Sequence, residues 1–201
     1  KPEMRDVTNW YFKLNSFHKL LTQWADRLEN KPGSRRFAVK SIQEFLEPPV
    51  IYVKRDQLDR LDSIKEKLPK YILIDEENKS SVVIAFDDLE SRERACSILA
   101  EESIRFRTGK TLVPFRLTGN VEWGVPAPCI EGLEDLTIWV WPESLWAPIS
   151  FTMTYLEMKN KDKESWKNWW CSKESKVYQF IGKDNVYFYG PAEMAMFMGQ
   201  Q

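Results

Sequence analysis

Near the carboxyl-terminal end of the sequence, Gly182, Lys183, Asp184 and Asn185 stand between two apolar flanks in "QFIGKDNVYFYG" (179–190). Glycine lets a ligand approach the backbone closely. A carboxylate beside it can accept hydrogen bonds from a ribose or an ammonium group. Two arrangements produce such a run. Lys-Asp-Asn is good turn chemistry and would close a hairpin. Alternatively "QFIG" is a parallel strand, and the run lies at its carboxyl end, where open α/β sheets bind ligands. The local sequence leaves both open.

Other chemical signatures are missing. There is no GxGxxG, P-loop, GxSxG or HExxH pattern. "RTGKT" (107–111) lacks the first glycine of a P-loop and sits in a strand context. The single histidine, His18, excludes a multi-histidine metal site and reads as structural or exposed. Cys96, Cys129 and Cys171 are odd in number and have no metal-ligand spacing, which suits reduced thiols in a cytoplasmic protein. Basic residues such as Lys54, Arg55, Arg92, Arg94, Arg105, Arg107 and Lys110 are interspersed with acids, as on a solvated surface; a local RNA-facing patch is the rarer reading.

The elements that would position these groups fall into three regions. In the first, Leu14, Phe17, Leu21, Trp24 and Leu28 step by 3 and 4, one face of a helix with Asn15 as its cap. "NKPG" (30–33) ends it, and Ser34 can cap a second helix carrying Ala38, Ile42, Phe45 and Leu46. The middle region alternates: strands at 50–53, 71–74, 82–86 and 104–113, with helices capped by Asp56 and Ser91 between them. That β-α-β-β-α-β order is the ferredoxin-like pattern. In the third region seven of the nine tryptophans gather: Trp123, Trp139, Trp141, Trp146, Trp166, Trp169 and Trp170. "LTIWVW" (136–141) and "KVYQFIG" (176–182) do not alternate and read as strands of a parallel α/β sheet covered on both faces. "SFTMTYLEM" and "PAEMAMFMGQQ" read as helices. An aromatic-rich wall of this kind is ordinary core, and it is also what an apolar side-chain pocket needs.

The 201 residues are 43% hydrophobic and 29% charged with a net charge of -1, an ordinary globular composition with no broad pull toward nucleic acid or membrane. No apolar run reaches the length that spans a bilayer, no signal peptide opens the chain, and Lys1 at the start suggests an interior fragment.

Five stretches resemble one family. "PEMRDVTNWYFKL" (2–14) is similar to the segment after the zinc knuckle of methionyl-tRNA synthetases, and "VEWGVPAP" (121–128) to their Trp-Gly-Ile-Pro-Val-Pro segment. "WVW...APISF" (139–151) resembles Tyr-Val-Trp-x-Asp-Ala-Pro-x-Gly-Tyr, while "WKNWW" and "YQFIGKDNVYF" (166–188) match in order and content. The resemblance covers roughly residues 2–30 and 116–201, and the middle has no recognised counterpart. It implies an α/β fold: part of a class I synthetase Rossmann-type parallel sheet, with a helical hairpin and an inserted ferredoxin-like (βαββαβ) α+β region. Residues 1–47 would be the helical end of the connective-peptide region, 48–114 the insertion, and 115–201 part of the second half of the catalytic domain.

By the same resemblance, Gly182 and Asp184 hold the ATP ribose, and Trp141, Ala147, Pro148, Phe151, Asn185 and Tyr189 line the amino-acid pocket. The implied reaction activates methionine or a related apolar amino acid with ATP and transfers it to tRNA, with Mg2+ in the parent protein and no zinc site in this chain. The HIGH and KMSKS elements are absent, so by the resemblance the chain is expected to be an interior fragment unable to run adenylation alone. Four positions depart from the family: Gly119-Asn120 for Arg-Asp, Trp146 for Asp after an inserted "PES" (142–144), Phe151 for Tyr, and Tyr189 for His. They raise an alternative, a catalytically inactive synthetase-derived tRNA- or protein-binding module. Half of a Rossmann sheet would expose an apolar edge, which implies homodimerisation of the fragment or an arrangement unlike the parent's; no membrane partner is expected.

Overall fold

The computed structural model describes residues 7–200; the start of the "PEMRDVTNWYFKL" match, residues 2–6, lies outside them. Strand β1 (Tyr11–Phe12) and a 3-10 turn over Leu14–Phe17 lead into helices α1 (His18–Glu29) and α2 (Arg36–Leu46). The chain forms two compact units, one of residues 18–113 and one of 7–17 with 114–200.

In the 18–113 unit, α1 buries Leu21 and Ala25, and α2 buries Val39, Ile42 and Leu46, the helical spacing expected. Gly33 takes a left-handed φ of +86° in the link between them. The expected caps differ. Asn15 lies inside the 3-10 turn, and Arg35, not Ser34, precedes α2 without a capping side-chain bond. His18 has a structural role: its Nε2–H donates to the Leu46 carbonyl at 2.8 Å, satisfying an acceptor at the end of α2.

There follow β2 (Val50–Lys54), α3 (Leu58–Ser63), β3 (Ile72–Ile74), β4 (Ser81–Ala85), α4 (Leu89–Glu101) and β5 (Phe106–Thr108). The strands pair in the order β3-β4-β2-β5, every neighbour antiparallel. Ile51 sits opposite Ile84 and Thr108, and Tyr52 opposite Val83 and Arg107. Alternation then puts Ile51, Val53, Val82 and Ile84 on one face, where they form a core with Leu61, Ile64 and Leu68 around α3 and Ala95 and Leu99 on α4. Asp88, not Ser91, caps α4: its carboxylate accepts from the Ser91 N–H at 2.7 Å and the Ser91 hydroxyl at 3.0 Å, bonds that lower its pKa. β5 is shorter than expected. Beyond it, Gly109 passes so close to β2 that a Cβ there would stand 2.3 Å from Val50 Cγ2, while its N–H donates to the Val50 carbonyl at 2.9 Å. Buried Arg92 on α4 donates to the Gly109 carbonyl at 3.2 Å and holds this approach.

In the other unit, β6 (Phe115–Arg116) pairs antiparallel with β1, Phe12 opposite Phe115. Buried Thr118 accepts from the Trp10 N–H at 2.9 Å and donates to Asn9 Oδ1 at 3.2 Å. β7 (Thr118–Gly119) pairs with β8 (Thr137–Ile138), and α5 (Val140–Met158), α6 (Lys167–Trp170) and α7 (Glu193–Met198) follow.

The strand expected over 136–141 stops at Ile138. Pro142 falls in the first turn of α5, where its missing N–H costs nothing, and it is buried there with Leu145. Residues 176–182, also expected as a strand, form no ladder, and Phe180 is 94% exposed. Every strand pair among the described residues is antiparallel. A parallel strand needs a neighbour on the far side of a crossover, and residues 114–200 present none. Helix α5 shows the same shortage. Its Trp141, Leu145 and Trp146 pack inward, yet Phe151, Tyr155 and Met158, spaced by 4 and 3, form an exposed apolar stripe. A helix apolar on both faces is one that gets covered.

Candidate functional site

The Gly-Lys-Asp-Asn run opens a helix; it does not close a hairpin. Gly182 is extended (φ −67°, ψ 156°), Lys183–Asn185 form a 3-10 turn, and the Asn185 N–H donates to the Gly182 carbonyl at 3.0 Å. The chain stays helical from Val186 through a π turn at Phe188–Ala192 into α7. Pro191 lies within the π turn: proline has no N–H to donate and its ring clashes with the preceding turn, so the wider turn accommodates it. Val186, Ala192 and Ala195 supply the buried face that keeps the segment helical.

The predicted site residues divide between this segment and α5. Trp141 is half-buried and stacks on Phe188, with centroids 3.9 Å apart and planes 2° apart; Phe188 also meets Phe115 at 6.0 Å. Asn185 and Tyr189 are half-buried on either side of Phe188 in the chain. Ala147 is half-buried, Pro148 exposed and Phe151 70% exposed on α5. Gly182 and Asp184 are exposed, and a Cβ at Gly182 would meet nothing within 4 Å. Thus the structure joins Trp141 to the helix that carries Tyr189, whereas Pro148, Phe151, Gly182 and Asp184 face solvent.

Three of the departures have packing consequences. Trp146 meets Phe197 edge to face at 5.0 Å and 84°, filling its place with aromatic surface. A Cβ at Gly119 would stand 2.8 Å from the Trp139 ring, which the Arg116 guanidinium covers at 4.6 Å. Phe151 points a bare ring at solvent. Trp170 of "WKNWW" ties to α5: its indole N–H donates to the Thr152 hydroxyl at 2.9 Å, which donates to the Pro148 carbonyl at 2.9 Å.

Sequence reasoning passed over Glu193, the lone acid in "PAEMAMFM". It is 6% exposed, and Gln179 Nε2–H donates to its Oε2 at 2.8 Å. Burial pushes its carboxyl pKa up, against the opposing effect of the Gln179 bond. The unfolded chain therefore ionises first. Stability is fully present below the ordinary carboxylate value of 4.5 and is lost as pH rises through the raised folded value. The variant Glu193→Gln keeps an acceptor for Gln179 and is expected to be more stable than wild type at neutral pH. The gap should close toward acid pH, as read from urea midpoints at a series of pH values; a gap that does not change with pH contradicts this.

Among the described residues no three His, Cys, Asp or Glu side chains gather to hold a metal ion. None of their helices is long and apolar enough to cross a membrane. Cys96, Cys129 and Cys171 are free thiols.

A family model described as tRNA synthetases class I (M) matches residues 89–201, from the start of α4 onward. A protein of Saccharolobus solfataricus named methionine--tRNA ligase is 42% identical over 93 residues, covering 46% of this chain and 16% of that protein. One of the same name from Aeropyrum pernix is 39% identical over 87 residues, 43% of this chain and 15% of that protein. Another from Corynebacterium kroppenstedtii is 28% identical over 179 residues, 84% of this chain and 27% of that protein. The chain thus spans between 15% and 27% of the length of these relatives. No solved structure matches it.

Proposed function

The chain belongs to the tRNA synthetases class I (M), and from that premise we propose that it is part of a ligase that activates methionine or a related apolar amino acid with ATP and transfers it to tRNA. The observation that carries this reading is the site of the Gly182–Asp184 pair within the matched range: open backbone and an exposed carboxylate at the start of a helix. Asp184 would accept the ribose hydroxyls while Gly182 lets the sugar lie against the backbone. Trp141, Ala147, Pro148, Phe151, Asn185 and Tyr189 would line the amino-acid pocket, Trp141 stacked on Phe188 and the exposed Pro148 and Phe151 covered by other parts of the protein. The described residues offer no acidic cluster for Mg2+, so no step is assigned to the ion.

The unpaired segment 176–182 and the outer stripe of α5 fit a Rossmann-type sheet completed by other parts of the protein. The β3-β4-β2-β5 order fits a ferredoxin-like region over 48–114, between a connective-region end (1–47) and a catalytic-domain part (115–201). A cytoplasmic location accords with this role. One observation favours a binding module without ligase chemistry: Trp146, against Phe197, fills a position where the family carries an acid.

The test is ATP–pyrophosphate exchange by the full-length parent across a panel of amino acids. Exchange with one apolar amino acid is expected, and Asp184→Ala should raise the KM for ATP at least about tenfold, the worth of one charge-assisted hydrogen bond. No exchange with any amino acid would sink the ligase reading and leave the binding module.

A further inference from the structure

The four-stranded sheet of the 18–113 unit has one face buried under α3 and α4 and a second face with a different character. On that second face the register places Tyr52 and Lys54 of β2, Val83 of β4, Ile72 and Ile74 of β3, and Arg107 of β5, while Val50 at the Gly109 end of the same face is buried. None of them belongs to the core cluster. Ile72 and Ile74 are 62% and 44% exposed, and Tyr52 and Val83 are half-buried. The Arg107 guanidinium lies 4.3 Å above the Tyr52 ring.

The charges on this face are unbalanced. Continuing the β2–β5 register sets Arg105 opposite Lys54, two cations facing each other, an arrangement that destabilises a sheet when no anion lies between. No acid occurs in any of the four strands. Among the described residues no acid forms an ion pair with Lys54, Arg105 or Arg107, while nearby Asp75 is taken by Arg55 and Glu76 by Lys79. On the helical side, by contrast, Asp62, Glu93 and Glu102 pair with Lys65, Arg92 and Lys67. The face therefore combines a cation–aromatic contact between central β2 and edge strand β5, an apolar flank on β3 and β4, and cations that lack anions.

We propose that this face binds a single-stranded RNA segment, one base stacking on the Arg107–Tyr52 pair and the adjoining phosphates meeting Lys54 and Arg105. Unstacked bases are read by aromatic rings and arginine planes on open four-stranded sheets, and phosphates supply the anions that the face lacks. This deepens the reading of RNA as a partner. It does not need adenylation, so failed pyrophosphate exchange in the parent would leave it standing.

The experiment titrates the 201-residue chain into a fluorescently labelled, unstructured single-stranded RNA oligonucleotide at two salt concentrations. Saturable binding is expected. The double variant Lys54→Glu/Arg107→Glu should weaken it at least tenfold and lower the salt slope by about 0.7, the share of the single phosphate contact at Lys54, the rest of the loss coming from the stack on Tyr52. Arg94→Glu, an exposed cation of α4 on the other side of the sheet, should stay within about twofold. Far-UV circular dichroism checks that each variant folds. No binding by the wild-type chain overturns the proposal, as does an equal loss in Arg94→Glu. Concentration-dependent self-association that Ile72→Lys abolishes, with no RNA bound, would also overturn it and assign the face to a second copy of the chain.

Discussion

Trp141→Ala is expected to lower the stability of the 7–17 and 114–200 unit by about 3 kcal/mol, near the lower end of the range for buried aromatic truncations because Trp141 is half-buried. The loss comes from the stack on Phe188 at 3.9 Å, which anchors the first turn of α5 to the π turn before α7. Trp141→Phe keeps a ring on Phe188 and should recover most of it. All tryptophans except Trp24 lie in this unit, so urea unfolding followed by fluorescence reads it directly. A loss under about 1 kcal/mol, joined to a raised KM for the amino acid in the parent, would mean that Trp141 serves the pocket alone and not the packing.

In the 18–113 unit the largest effect is expected at Leu99. It is fully buried on α4 and belongs to the cluster that joins both helices to the sheet. Leu99→Ala should cost about 2–5 kcal/mol, the spread depending on how far the neighbours close the cavity. Far-UV circular dichroism against urea measures it. If the unit tolerates the change with less than about 1 kcal/mol lost, the α4-to-sheet packing is looser than the structure indicates.

The alternation of the middle region was readable because each of its strands finds its neighbour within the chain, so the pattern of apolar residues reports a face that is buried here. Ile51 and Val53 are core for that reason, and Tyr52 between them is not. The segments at 136–141 and 176–182 were just as apolar, but apolarity reports burial only where a partner is present. The cap of α4 is not legible in the sequence because Asp88 and Ser91 are both good capping residues three positions apart, and only backbone geometry decides which carboxylate or hydroxyl faces the free N–H groups. At the candidate site, Gly182 and Asp184 were visible through the family pattern, whereas their helix-opening geometry depended on the buried face of 186–195. Glu193 and the Arg107–Tyr52 stack depend on tertiary register, and no local window of residues shows them.

The pairing of Phe12 with Phe115 has a consequence for how the protein is assembled and how it could have been built. The two-residue ladder lies within the 7–17 and 114–200 unit, so the points where the chain leaves and re-enters that unit are side by side and, to that unit, the stretch between them is a loop. Closing an unstructured loop on the order of 100 residues costs about 4 kcal/mol of chain entropy, more than a two-residue ladder returns. If the internal stretch folds first, the loop left to close is far shorter and that cost falls. The route implied is inside-out folding, and the same geometry makes the stretch a cassette: a segment whose ends leave together can be gained or exchanged without redrawing the fold around it.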